Sequence, residues 1–312
     1  MKIQWMFAAI LIICSGIVLT SCGDSDDSAK TDTTVLQEWK AGATVDAATV
    51  EAFGGIDKCF AAEPIPDGVW TRMQGKTYKE NPYIGREDLR HIRALHWDYD
   101  NQMHVGEMVC NAMIADRLVR ILRQLFDAKY PIQRMLLPDV WDADDEMQMR
   151  DNNSSCFCYR NIAATNNLSK HARGLAVDIN TLYNPYIKTL DDGTLLIQPS
   201  TGAAYCDRTL EFPYKIDHDD LCFKLFIEAG FEWGGDWTSA RTISILKSSS
   251  TMFASGEGAA SKGRRYGLQG SKVPPSRGEG AASTVHGDYP HGSWRYLRYP
   301  LGDASHHPWE VS

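Results

Sequence analysis

The chain has 312 residues, of which 43% are hydrophobic and 10% aromatic, and its formal net charge is −8. This composition is typical of a globular protein with enough apolar material for one sizeable core. The negative charge argues against a nucleic-acid partner, because neutralising phosphates requires clustered Lys and Arg. We therefore expect no nucleic acid among its partners.

The amino terminus has the features of a targeting segment. Lys2 precedes an apolar run from Trp5 to Leu19, which is too short for a comfortable membrane span and has the length of a signal-peptide core. The run leads into Leu-Thr-Ser-Cys22, which resembles the lipobox of bacterial lipoproteins, with Cys22 as the lipidated residue. The acidic stretch at 23–27 resembles the tether of lipoproteins sent to the outer membrane.

Together these features predict a signal peptide over 1–22 and attachment to a membrane through a lipid anchor only. The predicted location is the cell envelope, as an outer-membrane lipoprotein that faces the periplasm or the surface. An uncleaved signal anchor that contains a chance cysteine is the alternative.

Six further cysteines follow the predicted signal peptide and lipidation site. An even number in an oxidising compartment permits disulfides, although spacing does not give their connectivity. No C-x-x-C pair is present, which argues against a metal cluster. We interpret them as structural thiols or bridges: Cys59, Cys110, Cys156, Cys158, Cys206 and Cys222.

Hydrophobic periodicity predicts two helices. Apolar residues recur at three-to-four spacing from Gly106 to Lys129, and Pro131 stops the pattern. A second helix is predicted from Asp219 to Ala229, with Asp219 or Asp220 as its N-cap and Gly230 as its terminating residue.

Short strands are predicted over Arg134 to Leu137, Leu175 to Ile179 and Thr194 to Gln198. Helices beside a few short strands, without an alternating repeat, indicate an α+β fold. The last 71 residues, Thr242 to Ser312, contain ten Gly and twelve Ser, and they repeat the hexapeptide Gly-Glu-Gly-Ala-Ala-Ser. We expect this tail to be disordered.

The residues that suggest chemistry lie in Ser-Lys-His-Ala-Arg-Gly-Leu-Ala-Val-Asp, from Ser169 to Asp178. His171 and Asp178 are seven apart and cannot share a helix face, but a turn that leads into a strand would bring both side chains together. Imidazole and carboxylate are ordinary zinc ligands, and a catalytic zinc keeps three protein ligands and one open position for water. Gly174 would let the backbone turn closely between the two ligands.

The pattern S-x-H-x-x-G-x-A-x-D resembles the first zinc-binding motif of the M15 peptidases, which include D-alanyl-D-alanine and L-alanyl-D-glutamate peptidases. The resemblance covers roughly Asp88 to Arg241 and implies the α+β hedgehog/DD-peptidase fold, a small antiparallel sheet with flanking helices. It also implies Zn²⁺ as cofactor and peptidoglycan peptides as substrate. The further matching segments are Asp88 to Arg90, His104 to Met108, Asp142 to Asp145, Asp151 to Asn153, Tyr159-Arg160, Asn184 to Tyr186 and Gly230 to Trp237.

The resemblance divides the chain into a tether with a weakly structured lead-in (23–80), a peptidase domain (81–241) and the tail (242–312). It assigns His171 and Asp178 to zinc, and it assigns Arg160 and Ser169 to supporting the catalytic site or the substrate carboxylate. For Arg160, a structural salt bridge is the alternative interpretation. Zinc would lower the pKa of its bound water towards ~7, and a nearby carboxylate would transfer the proton to the leaving amine.

The chain departs from the family where the third ligand is expected. After the W-G-G-x-W element the family has D-x-x-H-F-E, whereas this chain reads Arg-Thr-Ile-Ser-Ile-Leu-Lys from Arg241 to Lys247. These residues can be encoded CGG ACT ATC AGC ATT TTG AAA. One G inserted after the first codon gives CGG GAC TAT CAG CAT TTT GAA, which encodes Arg-Asp-Tyr-Gln-His-Phe-Glu. We therefore hypothesise that a one-base deletion shifted the reading frame after Arg241.

A second hypothesis keeps the tail native. Asp288-Tyr-Pro-His291 is itself D-x-x-H, so an insertion of about fifty residues would make His291 the third zinc ligand and Asp288 the catalytic base. Gly292 and Ser293 stand where the family has Phe-Glu, which argues against this reading.

Three functions follow from the sequence. The first is a zinc-dependent peptidase or carboxypeptidase for peptidoglycan peptides. The second is a non-catalytic, peptidoglycan-binding surface lipoprotein that has lost its third zinc ligand. The third is a purely structural surface protein that binds neither zinc nor muropeptides.

Overall fold

The computed structural model describes residues 32–162, 165–237 and 240–248, with only the backbone at 240–242 and 245. The predicted signal peptide, Cys22, Asp288, His291 and the greater part of the predicted disordered tail lie outside the described residues. Six α-helices are described: α1 Thr34–Gln37, α2 Ala47–Phe53, α3 Asp67–Met73, α4 Ala112–Asp127, α5 Asp145–Arg150 and α6 Leu221–Glu228.

Ten strands form three antiparallel sheets, in the orders β1-β4-β3-β2, β5-β10-β8 and β7-β6-β9. Helices combined with small antiparallel sheets confirm the α+β class. The strands are β1 Thr44–Val45, β2 Ala61–Glu63, β3 Leu89–Trp97, β4 Met103–Asn111, β5 Ala176–Asp178, β6 Tyr186–Thr189, β7 Leu195–Gln198, β8 Phe231–Trp233, β9 Ala240–Thr242 and β10 Ile245–Ser248.

The long hairpin of β3 and β4 and the helix that follows it form the centre of the core. The two strands pair in register from Leu89 opposite Asn111 to Trp97 opposite Met103. The side chain of Asn111 then accepts a hydrogen bond from the backbone N–H of Met113 and caps the N-terminus of α4. One face of α4 packs against the hairpin with the buried residues Ile114, Ala115, Leu118, Ile121, Leu122 and Leu125.

The helix predicted from Gly106 was wrong in its first part. Met103–Asn111 is a strand, and the helix begins only at Ala112. Seven of the nine residues of β4 are buried, so the strand lacks the alternation of apolar and polar residues that marks a half-exposed strand. Its apolar residues therefore run without interruption into the helical pattern.

The prediction of a weakly structured lead-in over 23–80 was wrong for the described residues from Thr34 onwards. Strands β1 and β2 extend the β3–β4 hairpin at its two edges. Leu36, Val50 and Cys59 are buried in one hydrophobic cluster with residues of the hairpin. These elements have two to seven residues each, which is too short for a visible hydrophobic period.

The other element predictions had mixed outcomes. Strands β5 and β7 and helix α6 lie where the sequence predicted them, with Asp220 as the N-cap of α6 and Gly230 at φ +81° just beyond it. The strand predicted over Arg134 to Leu137 was wrong, because this segment makes only an isolated bridge between Arg134 and Asn153.

All six cysteines that follow the predicted lipidation site are free, and five of them are buried. Among the described residues the interpretation as structural thiols is confirmed, and the disulfide alternative is wrong. Burial raises the pKa of the Cys59 thiol to about 11, so this thiol stays protonated at neutral pH. No described helix has both the length and the apolar character needed to cross a membrane.

A buried charge network ties α3 to the hairpin. Glu107 on β4 is 3% exposed, and its carboxylate accepts hydrogen bonds from Arg72 Nη2 at 2.6 Å and from His91 Nε2 at 2.9 Å. Burial alone would raise the pKa of Glu107, but these bonds outweigh it and lower the pKa. Arg72 Nε also lies 3.2 Å from the carboxylate of buried Asp139.

Removing the arginine should leave two buried carboxylates without their cation. We expect Arg72→Met to lower the free energy of unfolding by about 2–3 kcal/mol, less than for a fully buried pair because Arg72 is half exposed. Lys40→Met is the matched control, since Lys40 and Glu38 form a solvent-exposed pair whose loss should change the free energy of unfolding very little. Urea denaturation of both variants measures the difference, and equal losses would contradict the role given to the network.

Candidate metal centre

A tight turn brings the two proposed metal ligands together. The motif forms a short 3₁₀ turn, His171–Arg173, followed by Gly174 at φ +64° and then by β5. This path places His171 Nε2 3.2 Å from Asp178 Oδ2. A side chain at Gly174 would have its Cβ only 2.6 Å from the backbone N of Asn111, so both conformation and space require glycine here.

The His171 ring is held in one tautomer. The ring is buried, and its Nδ1 lies 2.7 Å from the carbonyl oxygen of Cys156. A carbonyl oxygen only accepts hydrogen bonds, so Nδ1 carries a proton, and in the neutral ring the lone pair is on Nε2. Nε2 is buried and makes no hydrogen bond. Ser169 supports the turn, because its Oγ accepts a hydrogen bond from the backbone N–H of His171.

The Asp178 carboxylate is oriented from both sides. Its Oδ1 accepts a hydrogen bond from Ser244 Oγ at 2.8 Å, which leaves Oδ2 directed at His171 Nε2. The backbone of Asp178 exchanges two hydrogen bonds with Ser155. With a neutral ring, the nitrogen lone pair and the carboxylate oxygen repel each other at this distance unless a proton or a metal ion lies between them. The pair therefore fits two ligands of a divalent metal, each oriented by a neighbouring hydrogen bond.

The described residues supply two ligands but not a complete set. No group of three or more His, Cys, Asp or Glu in the described part of the chain is placed to hold a metal ion. A catalytic zinc needs a third protein ligand. One hypothesis names His291 as this ligand and Asp288 as the catalytic base, and both lie outside the described residues.

Arg160 forms the structural salt bridge that was the alternative interpretation of this residue. Its Nη2 forms an ion pair with Asp145 Oδ1 at 2.9 Å, while its Nε is buried and has no hydrogen-bond partner. Burial works to lower the pKa of Arg160, but the charges of Asp145, Cys158 and Asp178 outweigh it and raise the pKa. The guanidinium is thus a fixed positive charge beside Asp178. The backbone carbonyl of Arg160 accepts a hydrogen bond from the N–H of Ser169. Arg160 and Ser169 therefore lie in the same region as His171 and Asp178.

Sequence reasoning missed three groups of this site. The carbonyl of Cys156 has no sequence signature, because every residue carries a carbonyl. Ser244 lies where the chain departs from the family pattern. Asp145 lies in a segment that matches the family but to which we assigned no role, and its side chain is only 16% exposed and pairs with Arg160.

The strand beyond the family-like region lies directly beside the candidate ligands. β10 pairs antiparallel with β5, with Ile245 opposite Asp178 and Leu246 opposite Val177. Its other edge pairs with β8, where Leu246 is opposite Trp233. Position 245 is therefore the direct cross-strand neighbour of Asp178.

Comparison with known protein families indicates the class of protein. Residues 163–241 match the family model described as D-alanyl-D-alanine carboxypeptidase, and this segment contains His171 and Asp178. This segment is therefore similar to the M15 peptidases, as its motif indicated. No curated protein matches the chain, and no solved structure matches it.

The Gly174 turn gives a test of the site's construction. We expect Gly174→Ala to lower the free energy of unfolding by at least about 1 kcal/mol more than Gly193→Ala, since a crowded Cβ adds to the conformational cost. Gly193 is the matched control, because its φ is +81° but nothing lies within 4 Å of an added Cβ. The control should cost only about 1–2 kcal/mol. If urea denaturation shows the same loss of unfolding free energy in both variants, the close approach of Gly174 to Asn111 does not contribute to stability.

Proposed function

We propose that this chain is a zinc-dependent peptidase or carboxypeptidase that acts on peptidoglycan peptides. One observation carries the proposal: the buried Nε2 of His171 and Oδ2 of Asp178 face each other at 3.2 Å, and Nε2 has no hydrogen-bond partner. The M15 match over residues 163–241 supports the same reading.

Each residue of the site has a distinct part in this proposal. A bound zinc would supply a Lewis acid and a water of lowered pKa. His171 and Asp178 would hold it, while the Cys156 carbonyl fixes the imidazole tautomer and Ser169 fixes the turn. The charge of Arg160 is suited to attract and orient the carboxylate of a peptide substrate, and Asp145 holds its guanidinium in place.

For the third ligand we propose the shifted reading frame. The alternative reading Arg-Asp-Tyr-Gln-His-Phe-Glu would put His at position 245 and Asp at position 242. Ile245 is the cross-strand partner of Asp178, and directly opposed residues on antiparallel strands project their side chains to the same face. A histidine at 245 would therefore lie beside the two ligands already present, which supports this hypothesis over the one that uses Asp288 and His291.

A frame-restored variant tests the proposed function. It carries Thr242→Asp, Ile243→Tyr, Ser244→Gln, Ile245→His, Leu246→Phe and Lys247→Glu. In this variant the amide N–H of the Gln, in place of the Ser244 hydroxyl, would donate to Asp178 Oδ1. We expect it to bind zinc stoichiometrically and to cleave muropeptides, and the unaltered chain to bind zinc more than about 100-fold more weakly, because it lacks one direct ligand. Zinc content after dialysis and chromatography of muropeptide digests are the measurements.

Adding His171→Ala to the frame-restored variant is the control, and it should remove both zinc and cleavage. A frame-restored protein that folds, stays metal-free in excess zinc and leaves muropeptides uncut would defeat the proposal. Independent sequencing of the gene across codon 241 tests the reading frame separately. A gene whose frame is intact and whose codons do not encode Arg-Asp-Tyr-Gln-His-Phe-Glu in the shifted frame would contradict the frameshift hypothesis but not the proposed function.

The second candidate function is a non-catalytic peptidoglycan-binding protein. It is favoured by one observation, the lack of a third ligand within the described residues. The same material separates the two candidates. Retention of the unaltered, zinc-free chain on purified sacculi, with no cleavage by the frame-restored variant, would favour binding without catalysis.

We also propose that Cys22 carries a lipid and that the chain is an outer-membrane lipoprotein. The support is the lipobox-like segment that ends at Cys22 and the acidic residues after it. Cys22→Ala should abolish incorporation of a labelled fatty acid and move the protein from the membrane pellet to the soluble fraction. Unchanged labelling in that variant would contradict the assignment.

A further inference from the structure

A series of hydrogen bonds joins the guanidinium of Arg160 to the strand that carries Asp178. Arg160 Nη2 lies 2.9 Å from Asp145 Oδ1, and the side-chain amide of Gln148 donates to the same oxygen at 2.8 Å. Asp145 and Gln148 are three positions apart on α5, and residues at this spacing lie on one face of a helix. Gln148 is therefore a second group that holds the Asp145 carboxylate.

The amide of Gln148 is fixed in one orientation. Its Oε1 accepts hydrogen bonds from Asn153 Nδ2 and from Ser155 Oγ, both at 3.3 Å. An amide oxygen only accepts and an amide NH₂ only donates, so these two donors leave the NH₂ group for Asp145. Gln148 is 3% exposed, and Asn153 and Ser155 are also buried. Turning the amide over would leave buried donors and acceptors unmatched, which is costly.

Both ends of this series are attached to the candidate metal ligands. The N–H of Ser155 donates to the carbonyl of Asp178 at 3.0 Å, and the N–H of Asp178 donates to the carbonyl of Ser155 at 2.8 Å. At the other end, the carbonyl of Arg160 accepts a hydrogen bond at 3.0 Å from the N–H of Ser169, two residues before His171. The long side chain of Arg160 is thus held relative to the ligands at both its backbone and its tip.

The paired guanidinium can still bind a ligand. A guanidinium has five N–H donors around its plane, and Asp145 occupies only one side of it. The Arg160 side chain is 25% exposed, so solvent and ligands reach it. A carboxylate is the group that matches a guanidinium best, because two parallel N–H donors meet its two oxygens.

We propose that Gln148 is a positioning residue, which through Asp145 holds Arg160 at a set distance from the two metal ligands. This distance makes the site select peptides that end in a free carboxylate. The inference rests on the proposed function, since it describes how that site binds its substrate. A terminal carboxylate held by Arg160 places the last peptide bond, and not an internal one, beside the metal ligands.

The selection can be measured on the full chain without metal. Calorimetry with N-acetyl-D-alanyl-D-alanine and with its C-terminal amide gives the ratio of the two affinities. We expect the unaltered chain to bind the acid at least about tenfold more tightly than the amide, the size expected for a hydrogen bond between charged groups. Gln148→Met keeps the side-chain volume but removes the donor to Asp145, and it should lower this ratio to less than about threefold.

Two further variants separate positioning from a general loss of stability. Gln148→Glu keeps an acceptor for Asn153 and Ser155 but has no amide donor for Asp145, so the ratio should fall in this variant as well. Arg72→Met is the matched control, because it breaks a buried charge network on α3 and should leave the ratio unchanged. Circular dichroism confirms that each variant is folded.

Four outcomes would overturn the proposal: no binding of the acid by the unaltered chain, equal affinity for acid and amide, a ratio that both Gln148 variants retain, or an equal fall of the ratio in Arg72→Met. The proposed function is judged separately. Preference for the acid in a chain whose frame-restored variant leaves muropeptides uncut would support the positioning and defeat the peptidase. Cleavage of muropeptides without preference for the acid would defeat the positioning alone.

Discussion

The candidate metal centre depends on one close approach, that of His171 Nε2 to Asp178 Oδ2 at 3.2 Å. The Cys156 carbonyl fixes the imidazole proton on Nδ1, and Ser244 occupies the other oxygen of the carboxylate. Neither group can turn away without losing a buried hydrogen bond, which costs about 1–3 kcal/mol. The arrangement is therefore prepared for a cation, and ligands oriented in this way need little rearrangement to bind one.

The core maintains this arrangement through the backbone. Gly174 lets its carbonyl accept a hydrogen bond from the Asn111 N–H at 2.9 Å, at the junction of β4 and α4. β5 has only three residues, yet β10 pairs along one edge and Ser155 bonds to its last residue on the other. The ligand loop is thus attached to the most deeply buried part of the molecule. A site built on such elements holds its geometry better than one on a free loop.

The sequence predicted those parts of the fold whose signals are local. Helix α6 has an aspartate cap and a terminal glycine, and the motif from Ser169 to Asp178 contains its own turn. The boundary between β4 and α4 could not be predicted, because a strand buried on both faces and the apolar side of a helix give similar runs of hydrophobic residues. The ligands of the site were predictable for the same local reason. Their supporting groups, the carbonyl of Cys156 and the hydroxyl of Ser244, come from segments that only the tertiary fold brings near.

Strand β10 shows how such a fold can persist while its chemistry changes. Strand pairing uses backbone groups that every residue but proline supplies, so the ladder between β10 and β5 places few demands on side chains. The hydrophobic core does restrict the side chains at two positions of this segment, since Ile243 and Leu246 are 1% and 0% exposed. The shifted reading would put Tyr and Phe at these positions, so both readings keep large, largely apolar residues in the core. The two reading frames give side chains of different chemistry at 242, 244, 245 and 247. Of these positions, 245 lies opposite Asp178. A change of frame at this point would therefore remove a metal ligand without removing the hydrophobic contacts that hold the strand.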